Sequence, residues 1–316
     1  TKPTRHANPT RIVGLASSTH TLYSPEGISA EQVYAFISRN YDGAQRYQHP
    51  AEILGIVNQN HRKDVSTLVF VDATAVDKPL TGFHKYVIEQ TPHGIVTANK
   101  IPLASHDFST FQQLTRYPRR YGYRCSVMAG ADAVPFLQDL RDLNDHLYGI
   151  EGCFSGTLGY TTSELEKRQL SEIIREARDR GYTEPHPRDD LSGLDVAKKL
   201  VILARTAGYN VGIGDVDLQP FIPQEFFLED DVNRFLDSLV TLDREFTERM
   251  NHANEKGNTL RYIARMNAKR ETLEVSLQEV SKESPLGRLE GRENKIFVVS
   301  EAYPDGYSIE AIGAGL

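Results

Sequence analysis

A turn crowded with charge runs directly into a helix that is apolar almost all round. No other stretch constrains the fold as much. The turn reads Gly181-Tyr182-Thr183-Glu184-Pro185-His186-Pro187-Arg188-Asp189-Asp190-Leu191-Ser192-Gly193, and Leu194, Val196, Ala197, Leu200, Val201, Ile202, Leu203 and Ala204 follow it. A helix that is apolar on every side must be buried on every side, so the chain has to wrap other elements around this one. Asp195 and Lys199 stand four residues apart, on one helix face and within reach of each other. Burying a carboxylate and an ammonium is costly unless the two are paired. Glu184, Asp190, Asp195 and Lys199, gathered at the mouth of one buried helix, are therefore candidate functional groups. Asp190 and Ser192 also suit the plainer task of capping a helix start. His186, alone in a turn, reads as a surface residue.

The first third of the chain alternates strand and helix signals, the pattern of a parallel sheet covered by helices. Expected strands are Arg11–Ala16, Thr67–Asp72, Gly94–Thr97 and Tyr121–Val127. Expected helices are Ser29–Arg39, with Ser29 as cap, Glu52–Gln59, Phe83–Gln90 and Phe111–Tyr117. Beyond a boundary near residue 133 the texture becomes α+β. A helix over Pro135–Leu143 leads to a strand over Tyr148–Phe154, a long helix over Ser163–Arg180, the buried helix, and another long helix over Glu229–Ala253. Antiparallel strands are then expected over Leu260–Met266, Leu273–Val280, Lys295–Val299 and Tyr307–Ile312. The fold class is thus α/β, a parallel-sheet domain over residues 1–133 followed by an α+β domain over 134–316.

Composition narrows the partners. Net charge is −7 and charged residues are 25% of the 316, which argues against a nucleic-acid or anionic-membrane surface. No apolar run approaches the roughly 20 residues of a membrane span. The only two cysteines, Cys125 and Cys153, sit in apolar surroundings without metal or redox spacing and read as buried thiols of a reducing compartment. No metal-ligand cluster is visible. Thr1-Lys2-Pro3-Thr4-Arg5-His6 has no apolar core of a signal peptide, so a cytoplasmic location is expected. Without an initiator Met, the chain reads as a processed product or a piece of a longer one.

Several motifs carry a resemblance. The run from Glu184 to Leu200 closely resembles the signature of homoserine dehydrogenases. Phe154-Ser155-Gly156-Thr157-Leu158-Gly159-Tyr160 is similar to that family's substrate loop, and Val96-Thr97-Ala98-Asn99-Lys100 to its motif at a nucleotide-domain strand end. Val71-Asp72-Ala73-Thr74, Ala16-Ser17-Ser18, Ser284-Pro285-Leu286-Gly287 and Gly313-Ala314-Gly315 fall in the family's order.

The resemblance implies an incomplete Rossmann-type nucleotide domain plus a substrate and dimerisation domain, acting on aspartate semialdehyde and homoserine with NADP or NAD, as a homodimer joined by the late antiparallel strands. It implies Lys199 and Lys100 as catalytic lysines and Asp195 as the residue that orients Lys199. Glu184 and Asp190 would hold the substrate's cationic amino group, and Gly156 and Thr157 would donate to its polar atoms. Ser17, Ser18, Ala73, Thr74, Asn99 and Lys100 would line the cofactor. Hydroxyls at Ser17 and Ser18, with His20 as the nearby base, suit a 2′-phosphate and so NADP.

Three departures qualify the resemblance. No Gly-x-Gly-x-x-Gly turn occurs in the chain, and such a turn is what lets a backbone approach a pyrophosphate. The chain joins the family pattern at its second strand and stops at Leu316, so the first strand, phosphate turn, first helix and a closing helix are expected to be absent. NAD(P) binding by this polypeptide is accordingly expected to be weak. The family's monovalent-cation turn has an acid where Val127 stands here and glycines at Ala131 and Ala133, so the cation site is not expected to be intact and a positive φ at either alanine would be strained. Two other readings compete with homoserine dehydrogenase: another dehydrogenase of amino-acid semialdehydes, and a catalytically inactive homologue acting as a dimerising or ligand-binding module.

Overall fold

The computed structural model describes residues 10–60 and 67–312. The N-terminal hexapeptide and the Gly313-Ala314-Gly315 motif lie outside the described residues. The chain divides into two compact units. One takes the residues through Phe70 together with Val76–Ile95, and the other takes Val71–Ala75 together with everything from Val96.

The first unit opens with a small antiparallel sheet of β1 (Gly14–Ala16), β2 (His20–Tyr23) and β3 (Gln45–Arg46). This corrects the expected strand over Arg11–Ala16, which is neither that long nor parallel. Ile12 is 53% exposed, and the Ser17 hydroxyl accepts the His20 N–H at 3.1 Å, closing a hairpin that sends the chain straight back. Helices α1 (Ala30–Ile37) and α2 (Ala51–Asn60) follow. Ser29 caps α1 as expected, in a reciprocal box with Gln32.

Strand β4 (Val69–Asp72), helix α3 (Leu80–Gln90) and strand β5 (Gly94–Thr97) come next. The Gly94 N–H donates to the Leu68 carbonyl at 2.8 Å and the Ala98 N–H to the Asp72 carbonyl at 3.0 Å. Donor and acceptor advance together, so β4 and β5 run parallel. Short helices α4 (Ile101–Ala104) and α5 (Phe108–Thr115) lead to β6 (Tyr121–Gly122), which completes the sheet order β4-β5-β6. The strand expected through Val127 ends at Gly122. Buried Tyr121 and Tyr123 carry a period of two, but the Ser126 hydroxyl and N–H both return to the Tyr123 carbonyl and make a turn.

The rest of the second unit is built on one large sheet. Its elements are α6 (Ala133–Asp142), β7 (Leu147–Cys153), α7 (Gly156–Glu164), α8 (Leu170–Asp179), α9 (Pro187–Leu191), α10 (Leu194–Thr206), β8 (Val216–Leu218), α11 (Val232–Ser238), α12 (Asp243–Glu255), β9 (Asn258–Asn267), β10 (Thr272–Ser281), β11 (Glu293–Ser300) and β12 (Tyr307–Ile312). The strand order is β12-β11-β7-β9-β10-β8. All pairings are antiparallel except β8 with β10, which is parallel, so the sheet is mixed rather than wholly antiparallel.

Helix α10 packs on this sheet and on α4 and α6. Val196, Ala197 and Leu200–Ala204 are buried as expected, but Leu194 is 40% exposed at the helix start. Gly193 precedes it with φ +72, and a Cβ there would meet the Tyr262 hydroxyl at 2.0 Å. Only glycine satisfies both demands. On the sheet's other face Cys153, Ile263, Leu286 and Leu289 cluster. The Arg261 guanidinium donates to the Leu286, Gly287 and Leu289 carbonyls beside them. Burial pushes the Cys153 thiol up to about 12. Cys125 is exposed, against expectation.

Two expected long helices are each broken. Ser163–Arg180 is α7 ending at Glu164 and α8 starting at Leu170. The start of α8 is capped from a distance: the Asp243 carboxylate accepts the Ser171 N–H at 2.8 Å and its hydroxyl at 2.7 Å. Glu229–Ala253 is α11, capped by Asp231, and α12, separated by the tight turn Leu239–Leu242. Apolar periodicity runs on through both breaks, because either side still faces the same core.

Candidate active site

Three charged residues converge at the start of α10. Asp195 sits in the first turn, and Lys199 one turn later places Nζ 2.8 Å from Asp195 Oδ2. Lys100, at the start of α4, places Nζ 3.1 Å from Asp195 Oδ1. Each oxygen of one carboxylate therefore holds one ammonium. Lys199 also donates to the Phe154 carbonyl at 2.6 Å, and its side chain is only 15% exposed. Burial raises the Asp195 pKa, but Lys199 and then Lys100 outweigh it and bring the group down to about 2.

Five residues earlier, Asp190 has a different environment. Its Oδ2 accepts the Glu184 N–H at 2.8 Å, and its Oδ1 lies 2.9 Å from the Thr157 hydroxyl. Burial raises Asp190 to about 6, against these two hydrogen bonds and with help from the negative charges of Glu184 and Asp195. The Thr157 hydroxyl also reaches the Tyr182 carbonyl at 2.6 Å. One hydroxyl has one proton, so it cannot serve both acceptors. It donates to one of them at a time, so the bond it lends the Asp190 carboxylate is shared with the Tyr182 carbonyl.

The Glu184 side chain is exposed, and only its N–H enters this network. Gly156 and Thr157 form the first turn of α7, after Ser155, whose hydroxyl accepts the Leu158 N–H. The Thr157 hydroxyl is committed within the protein, which leaves the backbone N–H groups of Gly156 and Thr157 as the donors of that turn. His186 is not the surface residue expected. It caps α9 by accepting the Arg188 N–H, lies against the Phe235 ring, and buries Nε2 without a hydrogen-bond partner among the described residues.

The expected cofactor residues fall in both units. Ala73, Thr74, Asn99 and Lys100 belong to the second. Asp72 ties the ends of β4 and β5 together: its carboxylate accepts the Thr74 N–H at 2.9 Å and the Asn99 amide at 3.1 Å. The Thr97 hydroxyl accepts the Asn99 N–H, and Asn99 Oδ1 accepts the Ile101 N–H at 3.0 Å. Ala73 is exposed. In the first unit Ser17 closes the hairpin between β1 and β2, Ser18 is exposed beside it, and His20 stacks on Tyr41 at 4.1 Å between ring centres.

At the expected cation turn Val127 is fully buried. Asp132 pairs with Arg124, whose guanidinium also donates to the Gly130 carbonyl. Positive φ falls at Met128, Ala129 and Gly130. Ala131 has φ −58 and Ala133 begins α6, so neither alanine has the positive φ that would be strained. Among the described residues no three His, Cys, Asp or Glu side chains gather as metal ligands.

Sequence reasoning missed three participants. Asp72 lies inside the Val71-Asp72-Ala73-Thr74 motif, but nothing in its type or spacing marks it as a site residue. The Phe154 and Tyr182 carbonyls are backbone groups with no residue signature, and only their adjacency to Ser155 and Thr183 could have drawn attention.

Comparison with known proteins bears on this geometry. Residues 135–316 match the family model described as homoserine dehydrogenase. The chain is 34% identical over 266 residues to a bifunctional aspartokinase/homoserine dehydrogenase of Buchnera aphidicola, covering 82% of this chain and 32% of that protein. It is 30% identical over 257 residues to the homoserine dehydrogenase of Saccharomyces cerevisiae, covering 78% of this chain and 71% of that one. The chain thus spans about a third of the length of the bifunctional relatives. Among solved structures it resembles a protein of unknown function from Candida auris, with TM-score 0.86, 25% identity, and 99% and 88% coverage of the two chains. A homoserine dehydrogenase from Thiobacillus denitrificans shares the fold at TM-score 0.62 and 19% identity, over 80% of this chain and 54% of that one.

Proposed function

The chain belongs to the homoserine dehydrogenase family, and on that premise we propose that it interconverts aspartate semialdehyde and homoserine, using NAD(P), within amino-acid biosynthesis. The observation that carries this reading is the pair of ammonium groups, Lys100 and Lys199, held on the two oxygens of Asp195. Reduction of an aldehyde leaves negative charge on its oxygen. A preorganised ammonium beside that oxygen stabilises the charge and delivers a proton. Lys199 fills this role, Lys100 is the second cation, and Asp195 orients both. Asp190 and Glu184 receive the substrate's amino group, and the N–H groups of Gly156 and Thr157 face its polar end.

The donor set at the ends of β4 and β5 suits the nucleoside side of a dinucleotide. Asp72, Thr74 and Asn99 are hydrogen-bonded to one another and Ala73 is exposed beside them, so the backbone at Ala73 is what a ligand would meet, at the carboxyl end of parallel strands. When bound, the dinucleotide supplies or accepts hydride. Ser17 and Ser18 would favour NADP over NAD. The 316 residues contain no Gly-rich phosphate turn, so weak NADPH binding by this polypeptide is part of the proposal. So are a division of labour at about residue 133, a homodimer joined by the second domain's strands, and a cytoplasmic setting. Among the described residues no helix is long and apolar enough to cross a membrane.

The test is absorbance at 340 nm with homoserine and NADP, on the chain alone and with the N-terminal strand, turn and helix of a homologue joined to it. Turnover in either form supports the reading. No turnover in both, despite retained folding, would favour the inactive module.

A further inference from the structure

We propose that Arg205 is a positioning residue for the ammonium cluster: its buried guanidinium clamps the segment carrying Lys100 to the helix carrying Asp195 and Lys199. Arg205 is 2% exposed near the end of α10. Its Nη1 donates to the Leu103 carbonyl and its Nη2 to the His106 carbonyl, each at 2.7 Å, and its Nε donates to the Val211 carbonyl at 2.7 Å. Among the described residues its hydrogen-bond partners are these three carbonyls and no carboxylate. Burial lowers its pKa, and the negative charges of Asp107 and Asp215 oppose that.

A cation in a core is costly, and an apolar side chain of similar volume would fill the space more cheaply. What the guanidinium adds is a rigid fork of donors. Two of them grip the carbonyls at and just beyond the end of α4, where helix carbonyls are left unsatisfied and carry partial negative charge. Lys100 stands three residues before Leu103 on that same segment. The segment is therefore fixed to α10 twice, by Lys100 on Asp195 and by Leu103 and His106 on Arg205. Ten residues of helix, about 15 Å, separate the two anchors. Two anchors that far apart set an angle as well as a position.

The kinetic consequence rests on the dehydrogenase reading, but the clamp does not. The test uses the full chain with Arg205→Lys, which keeps the charge and loses the fork, and Arg205→Gln, which is neutral and still a donor. Lysine amines are labelled by reductive 13C-methylation, and the Lys100 signal is assigned with Lys100→Arg. The expected result is a folded variant whose Lys100 signal moves to the position of exposed lysines. In parallel, kcat falls about 10- to 100-fold while KM for homoserine stays within about threefold, a split that general loosening of the core would not produce. A folded variant with an unchanged Lys100 signal would overturn the clamp. Failure of both variants to fold would also overturn it, by assigning Arg205 to the core alone. Absence of turnover in the unsubstituted chain, both alone and with the homologue's N-terminal strand, turn and helix joined to it, would remove the dehydrogenase reading and leave the Lys100 signal to decide the clamp.

Discussion

Asp190 and Asp195 are five residues apart, the same residue type, and both sit at the approach to one helix, yet they are driven in opposite directions. Asp195 is brought to about 2 because two ammonium groups outweigh its burial. Asp190 rises to about 6 because its partners, a hydroxyl and a backbone N–H, are neutral donors that do not compensate for burial. The first carboxylate is complete within the protein. The second is short of one positive charge, and a ligand's ammonium is the natural source of it. A substrate with an amino group at one end and a reacting oxygen at the other would bring a cation to Asp190 and take stabilisation from the lysines on Asp195.

The largest expected effect comes from emptying the completed side. Lys199→Ala should lower kcat by about 10³-fold, read from NADPH absorbance in a chain joined to a phosphate-binding turn. A loss confined to KM would mean that Lys199 only binds. Asp190→Asn should act mainly on binding and raise KM for homoserine about 30-fold or more, with a smaller change in kcat. An equal loss in both would erase the distinction between the two acids.

Stability should separate them by sign. The folded Asp190 pKa, about 6, lies above the ordinary 3.8, so the folded state holds an extra proton between those values. The contribution of Asp190 to stability is therefore greatest at low pH and falls as pH rises toward and past 6. The folded Asp195 pKa, about 2, lies below 3.8. Its contribution is present above 3.8 and is lost as pH falls toward 2. In urea unfolding, Asp190→Asn should gain on the unsubstituted protein between about pH 4 and pH 7. Asp195→Asn should show a deficit at neutral pH that shrinks in acid. The smallest effect is Thr157→Val, which removes a donor from Asp190. It should raise the Asp190 titration midpoint further and weaken homoserine binding by about 1 kcal/mol, measured by calorimetry.

Much of this site was legible because its chemistry is packed into one contiguous stretch. The apolar run through Ala204 announces a buried helix, and the four-residue spacing of Asp195 and Lys199 puts them on one face. The resemblance supplied Lys100, which lies 95 residues away from Asp195 and which no local pattern could have attached to it. Backbone acceptors, Phe154 and Tyr182, and the Asp72 brace carried no distinguishing signal. The same limit explains the errors in the fold. The break between α7 and α8 depends on Asp243, 72 residues downstream of Ser171, and the β1–β2 hairpin depends on a serine turn rather than a glycine. Local periodicity records which face is apolar. It does not record which distant carboxylate ends a helix.

The most direct test is a 13C NMR titration of the aspartate carboxyls, with Asp190 and Asp195 assigned by their Asn variants, in the absence and presence of homoserine. The expected result is one group with a midpoint near 6 that homoserine draws downward, and another still ionised well below 3.8 that homoserine leaves in place. Two carboxyls titrating together near 3.8, or a midpoint at Asp190 indifferent to homoserine, would contradict it.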